Sequence, residues 1–203
     1  MVNSLIDAGR EAHGPPIAWL IYFLHQDLEA QHKVKLEVAR HAPEVEPLSP
    51  EHLATMSYLD ACINETLRLK PVAPFMPMES IKDMVIGDVA VSAGTLIWGV
   101  QRHDGMDPTR VAQPEAFEPQ RWLDEGNAHG AETSLKHLPI PFGAGPRVCH
   151  GRHLALTEIK MATAMLMTHF DLASVDTPDG LPPRELMAFT MAPVGLHMRL
   201  RQR

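Results

Sequence analysis

The sequence predicts a mainly α-helical fold with a small β component. Apolar residues recur at helical spacing in two long segments, residues 56–69 and 152–170. Short runs of valine, isoleucine and leucine, punctuated by glycine, occur between residues 85 and 97 and are typical of hairpins. The 203 residues are 45% apolar, which is enough to bury a core. We therefore treat residues 1–203 as part of one domain.

The first two predicted helices occupy residues 5–25 and 27–40. The first is interrupted in sequence by Gly14, Pro15 and Pro16. A proline inside a helix removes one backbone hydrogen bond and clashes with the previous turn. The sequence therefore predicts a kink or break around these prolines.

Further along, the pattern predicts helix starts, strands and loops in turn. Ser49 followed by Pro50 is typical of an N-cap with proline at the first helical position. The helix over residues 56–69 ends at Pro71. The later segments are predicted as strands and hairpins over 71–100, irregular chain over 102–140, a glycine-rich loop over 141–151, a helix over 152–170 and a final pair of strands over 188–200.

Composition excludes several classes of protein. The net charge of −7 argues against a nucleic-acid binder, which usually carries a basic surface. Two distant cysteines argue against a disulfide framework and favour a reducing compartment, so we expect a cytoplasmic location. No apolar run approaches the roughly 20 residues that span a bilayer. The question of a membrane anchor in a preceding N-terminal part stays open.

The segment PFGAGPRVCHG carries the most specific pattern in the chain. Phe142, Gly145, Arg147, Cys149 and Gly151 have the spacing F-x-x-G-x-R-x-C-x-G. This segment resembles the haem-binding loop of the cytochromes P-450. The resemblance extends over essentially the whole chain but covers only about half of a family member, and it implies the C-terminal half of the cytochrome P-450 fold.

The chemistry of such a loop suits a metal-binding thiolate. A cysteine just before a helix lies at the positive end of the helix dipole, which favours the thiolate. The resemblance implies that Cys149 ligates the iron of haem b, that Arg147 pairs with a haem propionate and that Phe142 shields the sulfur from water. The residues it assigns to cofactor binding are Phe142, Gly143, Gly145, Arg147, Cys149 and Gly151.

Two other interpretations of this cysteine remain. Cys149 could be an ordinary buried thiol in a loop. It could also bind zinc together with His150 and His153, although the usual paired-ligand spacing is missing.

A second matching segment contains Glu65 and Arg68, which share one face of a helix. Alone, such a pair is usually a solvated surface contact. The segment resembles the Glu-x-x-Arg helix of the same family, and Arg121 occupies the place of the arginine that completes the family's buried charge network. The role implied for these three residues is structural.

The N-terminal segment resembles the family's helix over the oxygen-binding face of the haem, with one departure. The family pattern is Ala/Gly-Gly-x-Asp/Glu-Thr, and this chain has Ala8, Gly9, Arg10, Glu11 and Ala12. The resemblance implies that Glu11 is a catalytic proton-relay residue, but Ala12 lacks the hydroxyl of the usual threonine. Proton delivery through Glu11, His13 or the substrate, a chemistry without that relay, and a degenerate copy all stay open.

The resemblance also implies a substrate, partners and a reaction. It assigns pocket-lining positions to Ala8, Val72, Ala73, Phe75, Ala188 and Phe189, although simple core packing would explain the same apolar residues. It implies a haem-thiolate monooxygenase that inserts one oxygen atom of O2 into a small apolar molecule, with electrons from a reductase or ferredoxin. Alternatives are a peroxygenase or isomerase, or a remnant that binds haem poorly or not at all. The absent N-terminal half is a further expected partner.

Overall fold

The computed structural model describes residues 2–41, 48–123, 141–188 and 190–203, and only the backbone of residues 2–11 and 13. With 46% helix and 22% strand, it confirms a mainly α-helical fold with a small β component. The helices are α1 (Val2–Gln26), α2 (Leu28–His41), α3 (Pro50–Ala54), α4 (Ser57–Leu69), α5 (Gln101–Gly105) and α6 (Arg152–His169).

The described strands form antiparallel two-stranded sheets. β1 (Phe75–Glu79) pairs with β4 (Leu96–Val100), and β2 (Met84–Ile86) pairs with β3 (Val89–Val91). β5 (Phe170–Asp176) pairs with β8 (His197–Gln202), and β6 (Arg184–Met187) pairs with β7 (Met191–Val194). The two final strands therefore exist as expected, but each pairs with an earlier strand rather than with the other.

Helix α1 continues through Pro15 and Pro16, so the break expected at these prolines is wrong, and the alternative of a kink stays a prediction. Each proline removes one hydrogen-bond donor, and the remaining bonds on either side still hold the helix. The next turns place Trp19, Leu20 and Leu24 in the core, each at most 1% exposed. Their burial against the rest of the chain stabilises the helix beyond the prolines.

Side-chain hydrogen bonds mark the starts of the next two helices, and the one at Ser49 was predicted. The Asp27 carboxylate accepts a hydrogen bond from the Ala30 N–H (2.9 Å) where α2 begins. The Ser49 hydroxyl oxygen accepts from the His52 N–H (3.3 Å), and the Ser49 N–H donates to Nδ1 of His52 (3.2 Å). Ser49 therefore caps α3, with Pro50 at its first position.

One apolar core joins α1, α2, α4 and α6. The predicted apolar face of α4 is buried, and α6 contributes residues from its middle and end. Lys160 of α6 also donates to the Leu53 carbonyl (2.9 Å) and to the Asp60 carboxylate (2.6 Å). These contacts fix α6, and so the loop that leads into its first turn. The core residues of these two helices are Leu59, Cys62, Ile63, Leu67, Ile159, Ala164 and Met167.

Within the described parts of the chain, we find no helix that combines the length and the hydropathy needed to cross a membrane.

Candidate functional site

The loop before α6 is a tight backbone structure closed by hydrogen bonds. Gly143 and Gly145 have φ of +71° and +66°, a conformation that side-chain-bearing residues rarely adopt. Gly145 starts a short 3₁₀ turn, and its carbonyl accepts from the Val148 N–H (3.2 Å). The Cys149 N–H then donates to the Phe142 carbonyl (2.8 Å), which closes the loop. The cysteine is thus held three residues before the first residue of α6.

Cys149 is an exposed residue, and neither cysteine of the chain is in a disulfide. A Cβ atom added to Gly151 would lie 3.8 Å from its sulfur, which is an ordinary van der Waals contact. Cys62, in contrast, is buried in the core, and burial together with the charge of Glu37 raises the pKa of its thiol well above the ordinary value. Of the two thiols, Cys149 is therefore the one that can meet a ligand.

Phe142 and Arg147, which precede the cysteine in the loop, differ in their exposure. Phe142 packs against the core, and the guanidinium carbon of Arg152 lies 5.8 Å from the centre of its ring. The shielding of the sulfur by Phe142 stays a prediction, and Cys149 itself is exposed. Arg147 is exposed in the 3₁₀ turn, two residues from the cysteine. Its guanidinium is available to an anionic group bound beside the loop.

The loop fits a haem better than a zinc ion. Among the residues that the structure describes, no three His, Cys, Asp or Glu side chains form a metal-binding group, and Cys149, His150 and His153 lie within that part of the chain. A haem needs fewer protein ligands. One accessible thiol for the iron, glycines that permit close backbone approach and one guanidinium for a propionate match its requirements.

A buried ionic network lies at the end of α4. Glu65 and Arg68 are fully buried, and Nη2 and Nε of Arg68 donate to the two Glu65 carboxylate oxygens at 2.8 Å each. Nε of Arg121 donates to the same carboxylate at 3.0 Å. The structure thus brings the three predicted residues together. Arg68 also donates to three carbonyls, that of Gly105 at the end of α5 and those of Pro114 and Ala116 in the segment that follows.

Sequence reasoning missed Trp122 as a member of this network. Its indole N–H donates to the Glu65 carboxylate (2.8 Å), and the Glu118 N–H donates to the same group (3.0 Å). A tryptophan next to Arg121 was the available signal, because a partly buried indole N–H usually has a hydrogen-bond partner.

The segments expected to line a substrate pocket are joined by one backbone hydrogen bond. The Met191 N–H donates to the Val72 carbonyl (2.8 Å), which connects the turn after α4 to the β6–β7 hairpin. Phe75 is exposed on β1 and makes an edge contact with Trp98 (6.3 Å between ring centres). Ala73 is partly buried and Ala188 is exposed, whereas Phe189 lies outside the described residues.

On the distal helix, only part of the predicted site can be described. Ala12 is partly buried in α1 and has no hydroxyl. The side chains of Ala8, Glu11 and His13 lie outside the described part of the chain, although all three belong to α1.

A separate cavity of about 440 Å³ lies between α1, α6 and the C-terminal strands. It is lined by apolar residues such as Ile17, Ile21, Leu166 and Met198, and none of its lining residues belongs to the cysteine loop. The cavity therefore does not include the cysteine loop.

The exposed cysteine in a glycine-rich loop before a helix and, elsewhere in the chain, the buried Glu–Arg–Arg network match the pattern expected of the haem-thiolate class. The family model for cytochrome P450 matches residues 1–199. The chain therefore belongs to the cytochrome P450 family, and this membership implies a haem cofactor.

Similar proteins are much longer than this chain. It is 32% identical to a steroid 17-alpha-hydroxylase/17,20 lyase from Squalus acanthias, over 90% of the chain and 35% of that protein. It is 32% identical to a mitochondrial 25-hydroxyvitamin D-1 alpha hydroxylase from Rattus norvegicus, over 95% of the chain and 37% of that protein. A solved cytochrome P450 structure, CYP102L1, superposes with a TM-score of 0.84 at 27% identity, over 97% of this chain and 44% of the other. The chain thus spans less than half the length of these relatives.

Proposed function

We propose that this chain is the iron-binding part of a haem-thiolate monooxygenase, with Cys149 as the thiolate ligand of the iron in haem b. The observation that carries the proposal is the accessible Cys149 thiol, held by the closed loop immediately before α6. Family membership supports it because a thiolate ligand and a small-molecule oxidation go together in such proteins.

Several residues of the loop would contact the haem, each in a different way. Cys149 would bind the iron, and Gly143, Gly145 and Gly151 would let the backbone approach the porphyrin. Arg147 would neutralise a propionate. When bound, the haem supplies an iron at which dioxygen is activated, and the electron-rich thiolate favours cleavage of the O–O bond.

We propose that Glu11 of α1 contributes to proton delivery on the opposite face of the haem. The usual threonine is absent there, because Ala12 has a methyl group in its place. This substitution supports a second candidate function, a peroxygenase or isomerase that does not need the hydroxyl. In either case the haem-binding role of Cys149 is the same.

We propose a small apolar molecule as substrate and a reductase or ferredoxin as electron donor. The names of relatives refer to a steroid, 25-hydroxyvitamin D and cholesterol. The candidate lining residues of this chain, Ala8, Val72, Ala73, Phe75, Ala188 and Phe189, suit an apolar molecule. Because the chain spans less than half of its relatives, the remaining enclosure of haem and substrate is assigned to an N-terminal half supplied by further polypeptide.

The test is the absorption spectrum of haem-supplied protein after reduction and treatment with carbon monoxide. We expect a long-wavelength Soret band typical of thiolate ligation, and we expect Cys149→Ser to abolish it. Cys62→Ala is the matched control, since it removes the other thiol of the chain and should leave the band in place. Absence of a Soret band in the unmodified protein would favour a remnant without haem.

A second experiment separates the two candidate reactions. Product formation is measured with dioxygen plus reductant, and with peroxide alone, in the unmodified protein and in Ala12→Thr. A monooxygenase requires dioxygen and reductant, whereas turnover with peroxide alone supports the peroxygenase. If Ala12→Thr changes neither turnover nor peroxide leakage, the argument from the missing hydroxyl fails.

A further inference from the structure

The β6–β7 hairpin has a weak backbone framework of its own. Among the strands that the structure describes, β6 pairs with β7 alone, and a two-stranded hairpin is marginally stable in water. Pro193 of β7 lies opposite Glu185 of β6 and has no N–H to donate. The position of β6 therefore depends on contacts that its side chains make elsewhere.

Strand β7 is anchored at its first residue. Met191 is fully buried; its N–H donates to the Val72 carbonyl (2.8 Å), and its own carbonyl accepts from the Trp19 indole N–H (3.2 Å). This anchor fixes β7 to α1 and to the turn after α4. It does not involve β6.

Strand β6 is anchored through Glu185. One guanidinium nitrogen of Arg102 donates to both carboxylate oxygens at 2.9 Å, and the Lys70 ammonium donates to one of them. The Lys70 ammonium also lies 4.6 Å from the centre of the Trp19 ring, so the ion pair and the Met191 anchor share a neighbour. Partial burial raises the pKa of Glu185, but the Lys70 bond and the charges of Lys70 and Arg102 outweigh it and lower the pKa overall.

We propose that Glu185 is a positioning residue for substrate selectivity. Its ion pairs with Lys70 and Arg102 hold β6 at a fixed distance from the turn after α4. Lys70 precedes Val72 by two residues, and Glu185 precedes Ala188 by three, so the clamp sets the spacing of the two segments expected to line the pocket. The selectivity role relies on the proposed haem-thiolate function; the clamp itself does not.

The clamp is tested by amide hydrogen exchange in the complete chain. Glu185→Gln should accelerate exchange of the Leu186 and Met187 amides by roughly fivefold or more, because charge-assisted bonds close to the strand are lost. Exchange in α4 should stay unchanged, which separates a local clamp from general destabilisation. Glu79→Gln, which removes one exposed carboxylate from β1, is the matched control and should have no effect on the hairpin.

A second pair of variants covers the case in which Glu185→Gln does not fold. Lys70→Arg keeps the positive charge and should preserve protection of the hairpin, whereas Lys70→Gln should reduce it. Unchanged hairpin exchange in Glu185→Gln, or equal acceleration in α4 and in the hairpin, would overturn the proposal.

Selectivity is measured in haem-supplied protein by spectral titration with one small and one bulky apolar ligand. Glu185→Gln should change the ratio of the two dissociation constants without moving the carbon-monoxide band. Faster exchange with an unchanged ratio would overturn the selectivity role. If the unmodified protein shows no thiolate-ligated spectrum, the proposed function is refuted instead, and hydrogen exchange still decides whether the clamp exists.

Discussion

Replacing Glu65 by glutamine should destabilise the chain more than any single surface change. The carboxylate accepts five hydrogen bonds: two from Arg68 and one each from Arg121, Trp122 and the Glu118 backbone. Glutamine has nearly the same shape but no charge. Its side-chain NH2 group would face N–H groups that can only donate hydrogen bonds. Arg68, which is fully buried, would then lack its counter-ion.

The size of the effect follows from that burial. Removing one partner of a buried ion pair costs about 3–5 kcal/mol, because the other charge stays buried and uncompensated. For a chain of this length, about 1 kcal/mol lowers Tm by roughly 2–4 °C, so a decrease of about 6–20 °C is expected. Much of the total stability of an ordinary domain would be lost.

Urea unfolding followed by circular dichroism measures the change in free energy of unfolding. Glu29→Gln is the matched control, because Glu29 pairs with Lys33 on the exposed face of α2 and should matter little. A loss below about 1 kcal/mol in Glu65→Gln would refute the view that the network depends on this carboxylate.

Three further outcomes are expected. Trp122→Phe keeps the ring but removes one donor, so it should cost about 1–2 kcal/mol in the same titration; a cost equal to that of Glu65→Gln would contradict the network described above. Bonds from Lys35, Arg203 and Arg201 hold the pKa of Asp171 far below its ordinary value of 3.8. Its contribution to stability is therefore present above about pH 4 and is lost as the pH falls below it, so Tm should decrease more steeply in acid for the unmodified protein than for Asp171→Asn; parallel Tm curves would contradict this. Gly145→Ala places a side chain at φ +66° and should cost about 1–2 kcal/mol and weaken haem retention. Gly151→Ala, with φ −82° and only an ordinary contact to the sulfur, should be tolerated, and equal losses in both would be inconsistent with strain at residue 145.

Much of the fold could be predicted because local signals agree with the packing. The α4 helix has both an apolar face at helical spacing and a proline just beyond its end, and both α4 and α6 lie within one residue of their expected ends. The prediction of a break at Pro15 and Pro16 failed. The tendency of proline to interrupt a helix was outweighed by burial of Trp19, Leu20 and Leu24. The sequence predicted where strands occur but not how they pair. No local pattern in β7 or β8 indicates the strand that each one pairs with.

The sequence likewise predicted only part of the candidate site. Cys149 and its glycines follow a residue pattern, and Glu65 and Arg68 follow from helical spacing. The carbonyls of Gly105, Pro114 and Ala116 that also bind Arg68 could not be predicted, because every residue has a carbonyl and only folding selects which ones converge. The ion pairs of Glu185 could not be predicted either, since they join residues that are 83 and 115 positions apart in the sequence.

The unequal burial of the two cysteines gives the chain a built-in chemical reporter. A water-soluble maleimide would alkylate Cys149 and pass over Cys62, whose side chain is enclosed by the core. Iron bound to that sulfur would block the alkylation, so the mass of the labelled protein would count occupied and vacant molecules without any measurement of turnover. In an oxidising buffer the same sulfur would cross-link two chains, which makes a thiol reductant necessary during purification.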